Sequence, residues 1–108
     1  MAKTNIIVNL QYEAIHHWPG CDIPEVSFLK DKHRHIFHIC CKREVQHDDR
    51  DIEIIMFKRK ILKFLQSNYN GDFGSMSCEM IANELAYIFK LSYCSVLEDG
   101  ENGAEIEI

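Results

Sequence analysis

The chain lacks long apolar runs and a recognisable leader, and each absence excludes a class of protein. No stretch of its 108 residues approaches the roughly 20 consecutive apolar residues that span a bilayer. The first ten residues have neither the continuous apolar centre nor the small-residue cleavage site of a signal peptide. We therefore expect a cytoplasmic protein that has no membrane partner.

A surplus of basic residues is also lacking, which argues against nucleic acid as a partner. The 17 acidic and 12 basic side chains give a net charge of −5, whereas proteins that neutralise phosphates present a basic surface. The only basic run, Lys58-Arg59-Lys60, is short and lies between apolar residues. It is typical of the exposed side of a helix.

The five cysteines are odd in number and have no C-x-x-C spacing. These features argue against a disulfide framework and against a cysteine zinc site. In a reducing compartment such thiols stay free and mostly act as small buried apolar groups.

Apolar residues that recur at every second position predict the strands. One strand is expected at 5–16 and a second at 32–45, separated by a loop at 20–31. The run IEIIM suggests a further short strand at 52–56. Two closing strands are expected at 92–97 and 104–108, joined by a hairpin turn rich in Asp-Gly and Asn-Gly.

Spacings of three and four residues predict two amphipathic helices, at 57–69 and 75–91. Asn70-Gly71 ends the first helix, and Ser75 or Ser77 caps the second. Strand pairs on either side of a helical middle predict a single α+β domain over residues 1–108. Both helices are expected to pack on one face of an antiparallel four-stranded sheet.

Three of the six histidines are placed to meet. His33 and His35 lie two apart in a predicted strand, so their side chains leave the same face with Cα atoms about 6.5–7 Å apart. His16 ends the preceding strand on its apolar parity. Three neutral imidazoles that leave one tetrahedral position open are typical of catalytic zinc. On spacing alone, chance pairing among six histidines is the alternative.

Taken in order, these segments resemble the 6-pyruvoyl-tetrahydropterin and 6-carboxy-tetrahydropterin synthase family over residues 6–107. YEAIHH resembles the family's F-x-A-x-H, and KHRHIF resembles its L-H-G-H-x-Y. SMSCEMIANEL resembles P-T-x-E-x-[IL]-A, and CSVLEDGENGAEI resembles the closing hairpin with V-x-V-x-E-T. The resemblance implies zinc ligands at His16, His33 and His35, and ligand-binding residues at Ser77, Glu79 and Glu98.

The same resemblance implies the tunnelling fold, a β-β-α-α-β-β unit whose sheets join edge to edge into a barrel. A homo-oligomer is therefore expected, although the apolar strand faces would also fit a monomeric sandwich. The resemblance further implies a zinc cofactor and a pterin or purine-like ligand. Glu98 would anchor the heterocycle. If the chain is an enzyme, it would be a lyase of the pterin-synthase type.

Departures from the family pattern bear on catalysis. The family's cysteine, four residues before H-x-H, is replaced by Leu29, and its Asp-His pair between the helices has no counterpart. Arg34 stands where the family has glycine. Cys21 is a weak catalytic candidate, with an ordinary loop thiol as its alternative. Three functions stay open. The first is a lyase on a reduced-pterin or deazapurine-precursor pathway, the second is an inactive tunnelling-fold module that binds a nucleotide-like ligand or only assembles, and the third is a structural oligomer with incidental histidines.

Overall fold

Four antiparallel strands form one open sheet in the computed structural model, which describes residues 2–108. The strands pair in chain order and are β1 (Thr4–His16), β2 (His33–Val45), β3 (Tyr93–Glu98) and β4 (Asn102–Glu107). Two helices, α1 (Ile54–Asn68) and α2 (Cys78–Phe89), lie between β2 and β3 in the chain. A kinked 3₁₀ segment, Pro24–Lys30, connects β1 to β2. The predicted α+β class and antiparallel four-stranded sheet are confirmed.

One face of the sheet is buried because every second residue of the long strands is apolar. On β1 the buried residues run to the end of the strand, where His16 occupies the next position of the same parity. The core also includes side chains from β2, β3 and both helices, among them Phe37, Ile39, Val96, Ile61, Leu65, Ile81 and Leu85. His16 therefore lies where the core meets the surface.

Residues 52–56 do not form the short strand that was predicted for them. Ile54 begins α1, and the Glu53 carboxylate caps the helix by accepting from the N–H groups of Ile55 and Met56 at 2.8 and 3.1 Å. A pattern of five mostly apolar residues is too short to distinguish a strand from a helix. The N-cap at Glu53 favours the helix here. No helix within residues 2–108 has the length and apolar character needed to cross a membrane.

The predicted ends of the helices are largely confirmed. Asn70 and Gly71 follow α1 in the left-handed conformation, with φ of 49° and 80°. The Ser77 hydroxyl caps α2 by accepting from the N–H of Met80 at 3.2 Å. Lys90, also left-handed, ends that helix.

The turn between β3 and β4 uses only one of the two hairpin signals. Asp99 and Gly100 have φ of 55° and 74°, as a type I′ turn requires at its two central residues. The N–H of Glu101 donates to the Glu98 carbonyl at 2.9 Å and closes the turn. Asn102 and Gly103 instead belong to β4. A Cβ atom at position 103 would overlap the Val96 carbonyl, so close strand contact there requires glycine.

The segment between the two helices docks against the end of β1. Ile15 donates to the Gly71 carbonyl and accepts from the N–H of Phe73, both at 2.9 Å. The N–H of His17 donates to the Gly74 carbonyl at 2.9 Å. The buried Tyr12 hydroxyl accepts from the N–H of Gly71 at 2.6 Å. These bonds hold the segment beside His16.

Candidate metal centre

His16, His33 and His35 lie together at one end of the sheet. His16 pairs with His33 in the register between β1 and β2, and His35 follows two residues along β2 on the same face. The ring centroids are 4.5 Å apart for His16 and His33, 5.0 Å for His33 and His35, and 5.4 Å for His16 and His35. The structure thus brings together the three histidines that the sequence singled out as metal ligands.

Glu98, the last residue of β3, completes a group of four that we call the His₃Glu group. Its Oε2 lies 2.9 Å from His16 Nε2, and its Oε1 lies 3.6 Å from His35 Nε2. One donor atom from each of the four residues lies within 4.8 Å of all the others. Donors around a tetrahedral zinc with bonds of 2.0–2.2 Å are about 3.3 Å apart. The group could therefore hold a divalent metal ion.

Each of the three imidazoles has its Nδ1 atom facing an acceptor oxygen. The contacts are His16 Nδ1 to the Met76 carbonyl at 2.9 Å, His33 Nδ1 to the Asp31 carbonyl at 2.9 Å, and His35 Nδ1 to Asp99 Oδ2 at 2.6 Å. A neutral ring in this position carries its proton on Nδ1, because the oxygen can only accept. The Nε2 lone pair is then free, which is the arrangement found around metal-bound histidines.

The Nε2 atom of His16 has an unusual environment. His16 is 7 % exposed, and its Nε2 is buried without a hydrogen-bond partner among the described residues. Glu98 Oε2 is near, but a proton on Nε2 would not point at it. With the proton on Nδ1, His16 Nε2 and Glu98 Oε2 are both acceptors and lie 2.9 Å apart. Two close acceptors without a hydrogen bond are unfavourable, and a cation near both atoms would stabilise them.

A pocket of about 450 Å³ opens beside the His₃Glu group. His16, His33 and Glu98 form part of its wall. Ser77 and Glu79, which the resemblance associated with ligand binding, line the same pocket from the start of α2. Three members of the His₃Glu group therefore share one cavity with Ser77 and Glu79.

The cysteines near the site do not supply a thiolate. Cys21 is 2 % exposed, its Sγ donates to two backbone carbonyls of its own loop, and it does not line the pocket. Leu29, which the resemblance aligned with a cysteine, lines the pocket. Cys78 also lines it, but burial, followed by the negative charge of Glu98, raises the pKa of its thiol to about 12. Cys78 is therefore a neutral thiol near pH 7.

Sequence reasoning placed Glu98 with the ligand but not with the metal, and it did not single out Asp99. The alternation along β3 could have indicated that Glu98 points toward the buried face, because it has the same parity as Cys94 and Val96. The left-handed φ expected at an Asp-Gly turn was the signal for Asp99. No side-chain pattern marks the Met76 carbonyl, because any residue offers one.

No protein-family model matches the chain, and a search of curated proteins found no significant match. The chemistry of the His₃Glu group and of the adjoining pocket is therefore the basis for assigning a function.

Proposed function

We propose that the chain is a divalent-metal protein in which the His₃Glu group binds zinc and the adjoining pocket binds a pterin or purine-like heterocycle. The observation that most directly supports the metal is the buried Nε2 of His16, which has no hydrogen bond although Glu98 Oε2 lies 2.9 Å away. Imidazole nitrogens with one carboxylate form a donor set suited to zinc. The resemblance to the pterin-synthase family selects the same three histidines.

The chemistry of the pocket supports a flat heterocycle with paired N–H groups. A carboxylate offers two acceptor oxygens that match such an edge. Because Glu98 is turned toward the histidines, Glu79 is the second carboxylate available for this contact. Trp18 and Met80 add apolar surface to the pocket and are 44 % and 57 % exposed. These side chains could cover the face of a ring.

A bound zinc ion would supply Lewis-acid polarisation to an oxygen of the heterocycle's substituent. The chain's own residues orient the imidazoles through their Nδ1 contacts and shape the pocket. If the site is catalytic, we propose that the protein is a lyase on a reduced-pterin or deazapurine-precursor pathway. The open edges of β1 and β4 are compatible with edge-to-edge assembly into a tunnelling-fold homo-oligomer.

One observation favours a second candidate, an inactive module that binds a nucleotide-like ligand. Proton transfer at carbon needs a base of suitable pKa. Leu29 stands where the resembled family has a cysteine, and burial raises the pKa of the Cys78 thiol. Turnover of dihydroneopterin triphosphate by zinc-loaded protein would support the lyase. Saturable neopterin binding without turnover would support the module.

Zinc titration of chelator-treated protein, read by competition with a coloured chelator, tests the metal site. We expect one zinc per chain and a loss of at least about 100-fold in affinity for His33→Ala. His38→Ala is the matched control, since His38 lies on the same strand with the opposite parity and outside the His₃Glu group. Wild-type protein that binds no zinc, or equal losses in both variants, would contradict the proposal.

A further inference from the structure

Two consecutive acidic residues at the turn between β3 and β4, Glu98 and Asp99, both contact the histidines of the metal centre. Glu98 faces the histidines from the buried side of β3. In a continuing strand the next side chain would point to the opposite face of the sheet. Asp99 instead has a φ of 55°. This left-handed turn lets its carboxylate reach β2.

Three contacts with β2 hold Asp99 in place. Its N–H donates to the Ile36 carbonyl at 2.8 Å, and its Oδ1 accepts from the N–H of Ile36 at 3.0 Å. Its Oδ2 lies 2.6 Å from His35 Nδ1. Both carboxylate oxygens are thus engaged, so a rotation that releases His35 would also break the contact with Ile36.

We propose that Asp99 is a positioning residue of the metal centre, which holds His35 as the Nδ1–H tautomer and directs its Nε2 toward His16, His33 and Glu98. This inference rests on the proposed metal site. It concerns the one histidine of the three whose Nδ1 faces a carboxylate instead of a backbone carbonyl.

The partial exposure of His35 gives its carboxylate partner a physical role. Its side chain is 20 % exposed, so water competes for Nδ1 more than it does at the buried His16. A hydrogen bond to an ionised acceptor is about twice as strong as one between neutral groups. A carboxylate partner also makes the opposite ring nitrogen a stronger metal ligand.

Asp99→Asn separates positioning from a purely structural role in the turn. Asparagine adopts the left-handed conformation readily, and its amide oxygen can still accept from the N–H of Ile36. The atom facing His35 Nδ1 then becomes an NH₂ group, which can only donate. Glu101→Gln removes the same charge from the same turn at a residue outside the His₃Glu group and serves as the matched control.

Two measurements decide the proposal. Nitrogen-15 NMR of the histidine rings in chelator-treated protein at pH 8 should show His35 as Nδ1–H in the wild type and shifted toward Nε2–H in Asp99→Asn. The signal of His33, whose Nδ1 faces a backbone carbonyl, should not change. Zinc affinity should fall about 10–100-fold in Asp99→Asn and stay within about twofold in Glu101→Gln.

The outcomes separate this inference from the function on which it rests. Wild-type zinc binding combined with unchanged affinity in Asp99→Asn would overturn the role of Asp99 and leave the metal site standing. An equal loss in Glu101→Gln would also overturn it, since bulk charge would then be the cause. Wild-type protein that binds no zinc would overturn both. A melting curve of each chelator-treated variant establishes that it folds, and Asp99→Ser, which also removes the carboxylate, replaces Asp99→Asn if that variant does not.

Discussion

Replacement of Tyr12 by phenylalanine should destabilise the whole chain through a single oxygen atom. Tyr12 is 8 % exposed, and its ring packs edge-on against Phe73 with centroids 5.6 Å apart. The substitution keeps this ring and removes the hydroxyl. That hydroxyl accepts from the N–H of Gly71 at 2.6 Å and donates to the Leu65 carbonyl at 3.2 Å. The change therefore isolates two hydrogen bonds, one from β1 to Leu65 in α1 and one to Gly71 in the segment after it.

The expected loss of stability depends on which hydrogen bonds the Leu65 carbonyl and the Gly71 N–H keep without the hydroxyl. The Leu65 carbonyl still accepts from the N–H groups of Tyr69 and Asn70, so losing the hydroxyl there costs about 0.5 kcal/mol. The N–H of Gly71 has no other acceptor among the described residues, and leaving this partly buried donor unpaired costs about 1–3 kcal/mol. We expect the free energy of unfolding to fall by about 1.5–3.5 kcal/mol, which lowers Tm by about 7–15 °C.

Urea unfolding followed by circular dichroism measures this loss, with Tyr87→Phe as the control. Tyr87 is 85 % exposed on α2, so the loss of its hydroxyl should leave the unfolding midpoint unchanged. A Tyr12→Phe variant within about 0.5 kcal/mol of the wild type would refute the reasoning. It would show that water satisfies the N–H of Gly71 as well as the phenol does.

Two further predictions concern acid and the strand contact at Gly103. Hydrogen bonds from Arg34 or from backbone N–H groups lower the pKa of four exposed carboxyls: Glu13, Glu53, Asp72 and Asp99. They bind protons more tightly in the unfolded chain, so their contribution to stability is complete above the unfolded-state pKa values. Urea midpoints should therefore fall as pH drops below about 4.5 and through the lowered folded-state values; a flat profile from pH 6 to 3 would count against this. Gly103→Ala should reduce the free energy of unfolding by about 1–3 kcal/mol because its methyl overlaps the Val96 carbonyl. Gly20→Ala, whose methyl would only touch Trp18, is the comparison, and equal losses would refute the strand-contact explanation.

The strands that carry the histidines were predictable because alternation over 13 residues leaves little ambiguity about which face is buried. Parity places His16, His33 and His35 on the buried face, and the family resemblance selected them as metal ligands. The start of α1 was not predictable in the same way, since the apolar run that suggested a strand is exposed at Ile54 and Ile55. Its helical state depends on the cap at Glu53, a local hydrogen bond that hydrophobic periodicity does not report.

The fourth donor and the outer contacts of the site depend on tertiary placement. Glu98 reaches the histidines only because the register sets it opposite Phe37. The Met76 carbonyl reaches His16 because the segment between the helices docks on β1. Neither the register between strands distant in sequence nor the path of a connecting segment can be read from local pattern, so these parts of the site required coordinates.

The docking of the segment between the helices has a consequence for dynamics. The proposed ion would draw its donors from β1, β2 and β3, while the carbonyl that orients His16 comes from the chain between α1 and α2. Separation of any one of these parts by partial opening would dismantle the coordination sphere. Zinc should therefore slow amide hydrogen exchange in β1, β2, β3 and residues 71–74 together. Release of the ion and local opening of the sheet would then be one cooperative event.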